Sequence, residues 1–267
     1  WSSSAASDVY KRQLLFYRGA IPFFFVLIGL LLFYKKNFLN ALLKIGYVGI
    51  FYIISFSACN ITFIISIQNT NVANTLIMVA LAPMLSAVLA TIFLKEPTNK
   101  NTWAAIFVTF FSVTFIFYDS IQLGNIKGDI YGFITALGLA INANLARYAK
   151  EIDLVPSAVI GKLVVAIFAF FFVDNFYLSG MDLFIVPLMC IMCVAIPFVL
   201  VTIAPRFISA PEVNLFFLLE VILGPIWVWL IIKEQPSLQT IIGGIIIIIT
   251  IALHSFLALK KTQIKSN

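Results

Sequence analysis

Leu81-Ala82-Pro83-Met84 leads through an uncharged stretch to Leu94-Lys95-Glu96, and Leu219-Glu220-Val221-Ile222 leads through another to Ile232-Lys233-Glu234. From Glu96 to Glu234 the interval is 138 residues, and the same register sets Leu81 on Leu219 and Ile65 on Ile203. It holds without a gap for several tens of residues. A chain that writes one apolar segment twice is expected to fold as two structural repeats.

Composition says where those repeats lie. Hydrophobic residues make up 62% of the 267, charged residues 10%, and the mean hydropathy is +1.08. A soluble domain carries roughly a quarter charged residues, so this chain cannot cover itself in water. It reads as an integral membrane protein. The net charge of +6 comes from lysines beside apolar runs and is no sign of nucleic acid. Cys59, Cys190 and Cys193 all sit in apolar runs. The pair Cys190-x-x-Cys193 has neither a second pair nor a nearby histidine to complete a metal or redox site, which favours packing.

Apolar runs between charged or turn-rich breaks give nine candidate spans, at about 14–34, 45–66, 72–94, 102–118, 130–146, 155–173, 183–205, 213–232 and 238–259. They are too long for barrel strands, and backbone groups in lipid must pair internally, so a helical bundle is expected. If the first span ends in the cytoplasm, that side collects Lys35, Lys36, Lys44, Lys95, Lys100, Arg147, Lys150, Arg206, Lys260, Lys261 and Lys265. The other side keeps Lys11, Arg12, Arg18, Lys127 and Lys233. This bias favours a cytoplasmic C-terminus. An odd number of spans, five, ends between Glu96 and Glu234, so the two copies of the motif face opposite sides: an inverted repeat.

The expected organisation is a non-native or disordered tail over 1–13, a first repeat of four helices over 14–118 and a linker over 119–129. A second repeat of five helices over 130–259 and a basic cytoplasmic tail over 260–267 follow. The first repeat is one helix short. The polar run from Trp1 to Asp8 has no apolar core fit for a signal peptide, and the expectation is that a native first helix precedes this stretch.

Four stretches resemble the EamA-type branch of the drug/metabolite transporter superfamily. They are Thr70-Asn71-Val72-Ala73-Asn74-Thr75-Leu76 with Ala82-Pro83 and Phe93-Leu94-Lys95-Glu96; Gly128-Asp129-Ile130 opening a span that ends at Arg147; Ala210-Pro211-Glu212-Val213 leading to Leu218-Leu219-Glu220; and Gly224-Pro225-Ile226-Trp227-Val228-Trp229-Leu230 with Lys233-Glu234-Gln235-Pro236-Ser237 and Ile242-Gly243-Gly244. The ordered set covers nearly all of 14–259. The resemblance implies an all-α membrane protein of ten helices in two inverted five-helix repeats, nine of them visible here. It also implies cytoplasmic termini, a central cavity and carriage of small metabolites or drugs.

Several residues are candidates for contact with a solute. Glu220 lies about eight residues into its span, roughly 10 Å deep; it could bind a cationic group, take up a coupling proton, or be a structural acid neutralised by a neighbour. Lys162 sits at a comparable depth and could pair with Glu220, flank a zwitterion, or snorkel to the surface. Arg18 is read as a pseudosymmetry mate of Lys162 near the opposite mouth of one cavity, or as an interface anchor. Asn60, Asn74, Asn142 and Asn144 could contact solute or bridge helices. Trp227 and Trp229 could stack on a solute or pack. Pro83, Pro197 and Pro225 could bend helices. His254 has no acid or cysteine beside it in sequence.

The function expected is secondary transport of a small metabolite or drug-like solute across the inner membrane by alternating access, as export or exchange. No nucleotide-binding loop is present, no cofactor or metal is expected, and no residues assemble into a catalytic set. A membrane scaffold is the alternative, and an intramembrane enzyme a weaker one. The partners expected are the solute, the lipid bilayer, a coupling proton or exchanged metabolite, and a second copy of the chain in a homodimer.

Overall fold

A chain this apolar has one way to satisfy its backbone in lipid, and the computed structural model shows it: helices joined by short turns. The structure describes residues 3–35, 44–70, 72–118, 126–173, 175–178, 180–219 and 237–266. The helices are α1 (Ser3–Tyr34), α2 (Gly46–Asn69), α3 (Val72–Val79), α4 (Ala82–Leu89), α5 (Lys100–Ile116), α6 (Ile126–Tyr148), α7 (Val155–Phe170), α8 (Asp182–Met189), α9 (Ile196–Ile203), α10 (Ala210–Phe217) and α11 (Leu238–Ser266). Wider π-turns, Ala90–Leu94 and Cys190–Ala195, extend α4 and join α8 to α9.

Five stretches are long and apolar enough to cross a membrane: Gln13–Tyr34, Gly46–Asn69, Asn74–Leu94, Ile126–Tyr148 and Asp182–Arg206. The apolar helices Lys100–Ile116, Val155–Phe170 and Leu238–His254 are shorter. The 16 residues of α7 rise roughly 24 Å, and the exposed Phe171 and Phe172 beyond it suit the interfacial layer.

Helix ends differ from the hydropathy reading for local reasons. The helix of the first span begins at Ser3 rather than Leu14, because polar residues can be helical without being apolar. The fifth candidate begins at Ile126, inside the segment read as a linker, with Asp129 in its first turn where an acid favours the helix dipole. The third is broken at Ala80-Leu81, just before Pro83 in the first turn of α4. Proline lacks the N–H that Val79 would need as partner.

The chain gathers into two compact units, residues 1–64 with 145–207 and residues 65–144 with 208–267. Each joins helices from both sequence repeats. In the first unit α1 turns one stripe inward, Leu15, Gly19, Pro22, Val26 and Leu30, and leaves Phe24, Phe25, Ile28 and Phe33 outward. That stripe packs on α7. Gly19 lies against the Ala166 backbone, so close that a Cβ would sit 2.7 Å from the Ala166 nitrogen. Phe16 meets Phe170 near one end of the pair, and Tyr34 hydrogen-bonds Asp153 at the other. The two helices therefore run antiparallel.

The 138-residue register identifies α7 as the mate of α1, and the same rule covers the other pairs. Tyr52 Oη lies 3.0 Å from Thr202 Oγ1, and Phe56 meets Phe198 with ring centroids 6.0 Å apart. Four residues forward along α2 is four residues back along α9. In the second unit Thr102 contacts His254, whereas Ile116 fills the space beside Gly243, so α5 and α11 are antiparallel mates. Like pairs with its inverted like, which is the inverted repeat in physical form. A Tyr52→Phe, Thr202→Val double-mutant cycle is expected to give a coupling of about 0.6–1.7 kcal/mol in unfolding experiments, as for other interhelical hydroxyl bonds in bilayers.

Candidate functional site

Lys162 is the charged residue buried in the first unit among the described residues. Lys162 is 3% exposed, in the middle of α7. Its Nζ donates to Asn60 Oδ1 at 2.7 Å. It also stands 5.3 Å from the Phe56 ring centre and 5.5 Å from that of Phe198, within the range of cation–π attraction. The amine does not snorkel; a polar acceptor and two ring faces hold it inside.

The preceding residue makes this geometry accessible. A Cβ at Gly161 would meet Phe56 Cδ1 at 2.7 Å, so only glycine lets α2 bring that ring so close to α7. Asn60 is fixed in turn by donating Nδ2 to the Phe56 carbonyl at 2.8 Å. Ser57 Oγ shares its hydrogen between the Ile53 and Gly161 carbonyls, at 2.7 and 3.2 Å. Phe198 occupies the register position of Asn60, 138 residues on. Thus one repeat supplies an amide and the other a ring to the same amine.

Arg18 adjoins Gly19, which lies against the Ala166 backbone one helical turn from Lys162. The two cations therefore share one neighbourhood in this unit. They are not register mates, since Lys162 corresponds to Phe24. Cys59 and Cys190 are buried and Cys193 is exposed, and none of the three forms a disulfide.

At the end of this unit that carries Tyr34, Arg206 Nη2 donates to the Ile152 carbonyl at 2.5 Å and lies 3.4 Å from Asp153 Oδ1. Tyr34 donates to the same carboxylate, and Arg147 Nη1 donates to the Pro205 carbonyl at 3.2 Å. The arginines that enter the charge-bias reading thus also tie helix ends together.

The remaining candidates belong to the second unit. Asn74 Nδ2 donates to Asp129 Oδ1 at 3.2 Å. Asn142 is 7% exposed, and its Oδ1 has no hydrogen-bond partner among the described residues. Asn144 donates to Ser86 Oγ at 2.9 Å and to the Ala140 carbonyl at 2.8 Å, a bridge from α6 to α4. Glu220, Trp227, Trp229 and Pro225 lie outside the described residues.

A second polar cluster escaped sequence reasoning. His254 Nε2 lies 3.0 Å from Thr102 Oγ1 and 3.7 Å from Glu212 Oε1. Glu212 Oε2 also closes the capping box with Ser209 at the start of α10. Asn99, Lys100, Asn101 and Leu257 complete the wall of a pocket of about 240 Å³. The acid missing beside His254 in sequence comes from a helix that begins 44 residues earlier. The register, which pairs α5 with α11, was the signal for Thr102. The same antiparallel pairing of α2 with α9 sets Phe56 on Phe198, but no local pattern tied either ring to Lys162.

Comparison with known proteins completes the assignment. A crystal structure matches with a TM-score of 0.77 over 94% of this chain and 88% of that chain, at 13% identity, a likeness of fold alone. Among curated proteins none matches in sequence. The model of the EamA-like transporter family matches residues 2–118 and again residues 126–256. Two matches in tandem are the duplication read from the repeated motif, and the chain belongs to the EamA-like transporter family.

Proposed function

We propose that this membrane transporter moves a small metabolite or drug-like solute across the cytoplasmic membrane by alternating access, as exporter or exchanger, with Lys162 and Asn60 in contact with the solute. The observation that carries the reading is the buried amine. A cation inside a membrane helix costs about 2.5–3.5 kcal/mol on insertion scales, and packing alone gives no reason to keep it. Its Asn60 partner and two flanking rings hold it in one place, as a group that meets a solute must be held. The positive residues around 35–44, 95–100 and 260–265 support a cytoplasmic C-terminus.

Purified chain in liposomes tests this. Counterflow of a labelled metabolite against its unlabelled form, without ATP, is expected. Absence of flux for every solute in a broad metabolite panel, from protein that is monodisperse and folded, would favour the scaffold reading and defeat this one.

A further inference from the structure

The charge balance of the first unit narrows the solute. Lys162 is buried in α7, and Arg18 is half-buried on α1 beside Gly19, which lies against the Ala166 backbone one helical turn from Lys162. Among the described residues the ion pairs are Arg206–Asp153 and His254–Glu212, and neither includes them. The amine is satisfied by a neutral amide oxygen and by ring faces. Arg18 carries a planar fork of donors, half-buried on the same side of α1 as Gly19 and Leu15. Like charges in an environment of low polarity repel strongly, and an anion between them would relieve that repulsion.

We infer that Lys162 and Arg18 together form the binding point for an anionic oxygen group, a carboxylate or phosphate, on the transported solute. A carboxylate or phosphate oxygen is a stronger acceptor for the amine than the Asn60 amide it would displace or join. It would neutralise both cations at once. Phe56 and Phe198 keep water from the amine, which makes an anion's contact stronger than it would be in solvent. Two positive groups with no acid paired to them among the described residues disfavour a cationic solute, so the same arrangement selects by repulsion as well as attraction. The assignment rests on the transporter reading for flux, but binding can be measured without it.

The test uses the full chain in detergent and in liposomes, with malate and glycerol 3-phosphate as anionic probes. Glycerol and putrescine serve as neutral and cationic controls, and chloride holds ionic strength constant. At least one anionic probe is expected to raise the melting temperature and the controls to leave it unchanged; which anion acts separates carboxylate from phosphate. Lys162→Met and Arg18→Gln should each weaken that probe's apparent affinity at least about tenfold, and Lys162→Arg, which keeps the charge, should weaken it less. Should Lys162→Met fail to fold, Arg18→Gln and Lys162→Arg still decide. Anion binding that depends on Lys162 but brings no flux would keep the site and overturn transport. Counterflow of neutral or cationic solutes without anion binding would keep transport and overturn the site. Anion binding unchanged in both charge-removing variants would also overturn it.

Discussion

Lys162→Met is expected to lower solute flux at least about a hundredfold, equivalent to about 2.7 kcal/mol, while leaving the protein folded and no less stable by more than about 1 kcal/mol. The two halves of that expectation come from different terms. Flux falls because the amine is the cation that Asn60, Phe56 and Phe198 position. Stability holds because methionine fills similar volume and the cost of burying a charge disappears, offset by leaving Asn60 Oδ1 without its donor, at about 1–3 kcal/mol. Removing that orphan as well, in Asn60→Leu with Lys162→Met, should raise stability above the single variant. A Lys162 that served only the fold would behave oppositely: Met would destabilise and flux would fall no further than the folded fraction. Flux at saturating solute and a denaturant or thermal midpoint, read on the same preparation, separate the cases.

Gly19→Leu is expected to lower the thermal midpoint steeply and to deplete folded protein, and Gly19→Ala should already cost about 1–3 kcal/mol, the usual range for overpacking. The atoms that a Cβ at Gly19 would meet are the nitrogen and Cα of Ala166, at 2.7 and 2.9 Å. They are backbone, so no rotamer change can relieve the contact and α1 must move off α7. Ten residues further along the same helix Gly29 has nothing within 4 Å of its would-be Cβ and faces outward. Gly29→Ala should therefore be neutral or stabilising by up to about 1 kcal/mol through helix propensity. Opposite signs from one substitution on one helix would show that close approach of the mates, and not glycine's flexibility, explains Gly19.

Much of the fold was legible because lipid imposes simple rules. An apolar run of about 20 residues reads as a span, and counting spans between Glu96 and Glu234 was enough to invert one repeat against the other. What hydropathy could not show was facing. In α1 both the inward Leu15, Val26 and Leu30 and the outward Phe24, Ile28 and Leu32 are apolar, so no amphipathic stripe betrays the packed side. The partner of Lys162 is 102 residues away on α2, and no local pattern links the two. The reading of Arg18 and Lys162 as pseudosymmetry mates relies on depth along the helix, and depth carries no facing. The 138-residue interval also carries the pairing of the helices. Antiparallel mates around that register lead from Tyr52 to Thr202 and from Thr102 to His254. The π-turn at Cys190–Ala195 had no sequence signal beyond Pro197 after it.

Single cysteines at Glu96 and at Glu234, in a background with Cys59, Cys190 and Cys193 replaced by serine, test the inversion most directly. An impermeant thiol reagent applied to sealed, oriented vesicles should label one position from the outside, and label the other only after the vesicles are opened. Labelling of both positions from the same side would mean the duplicated segments run in parallel, and the inverted-repeat account would be wrong.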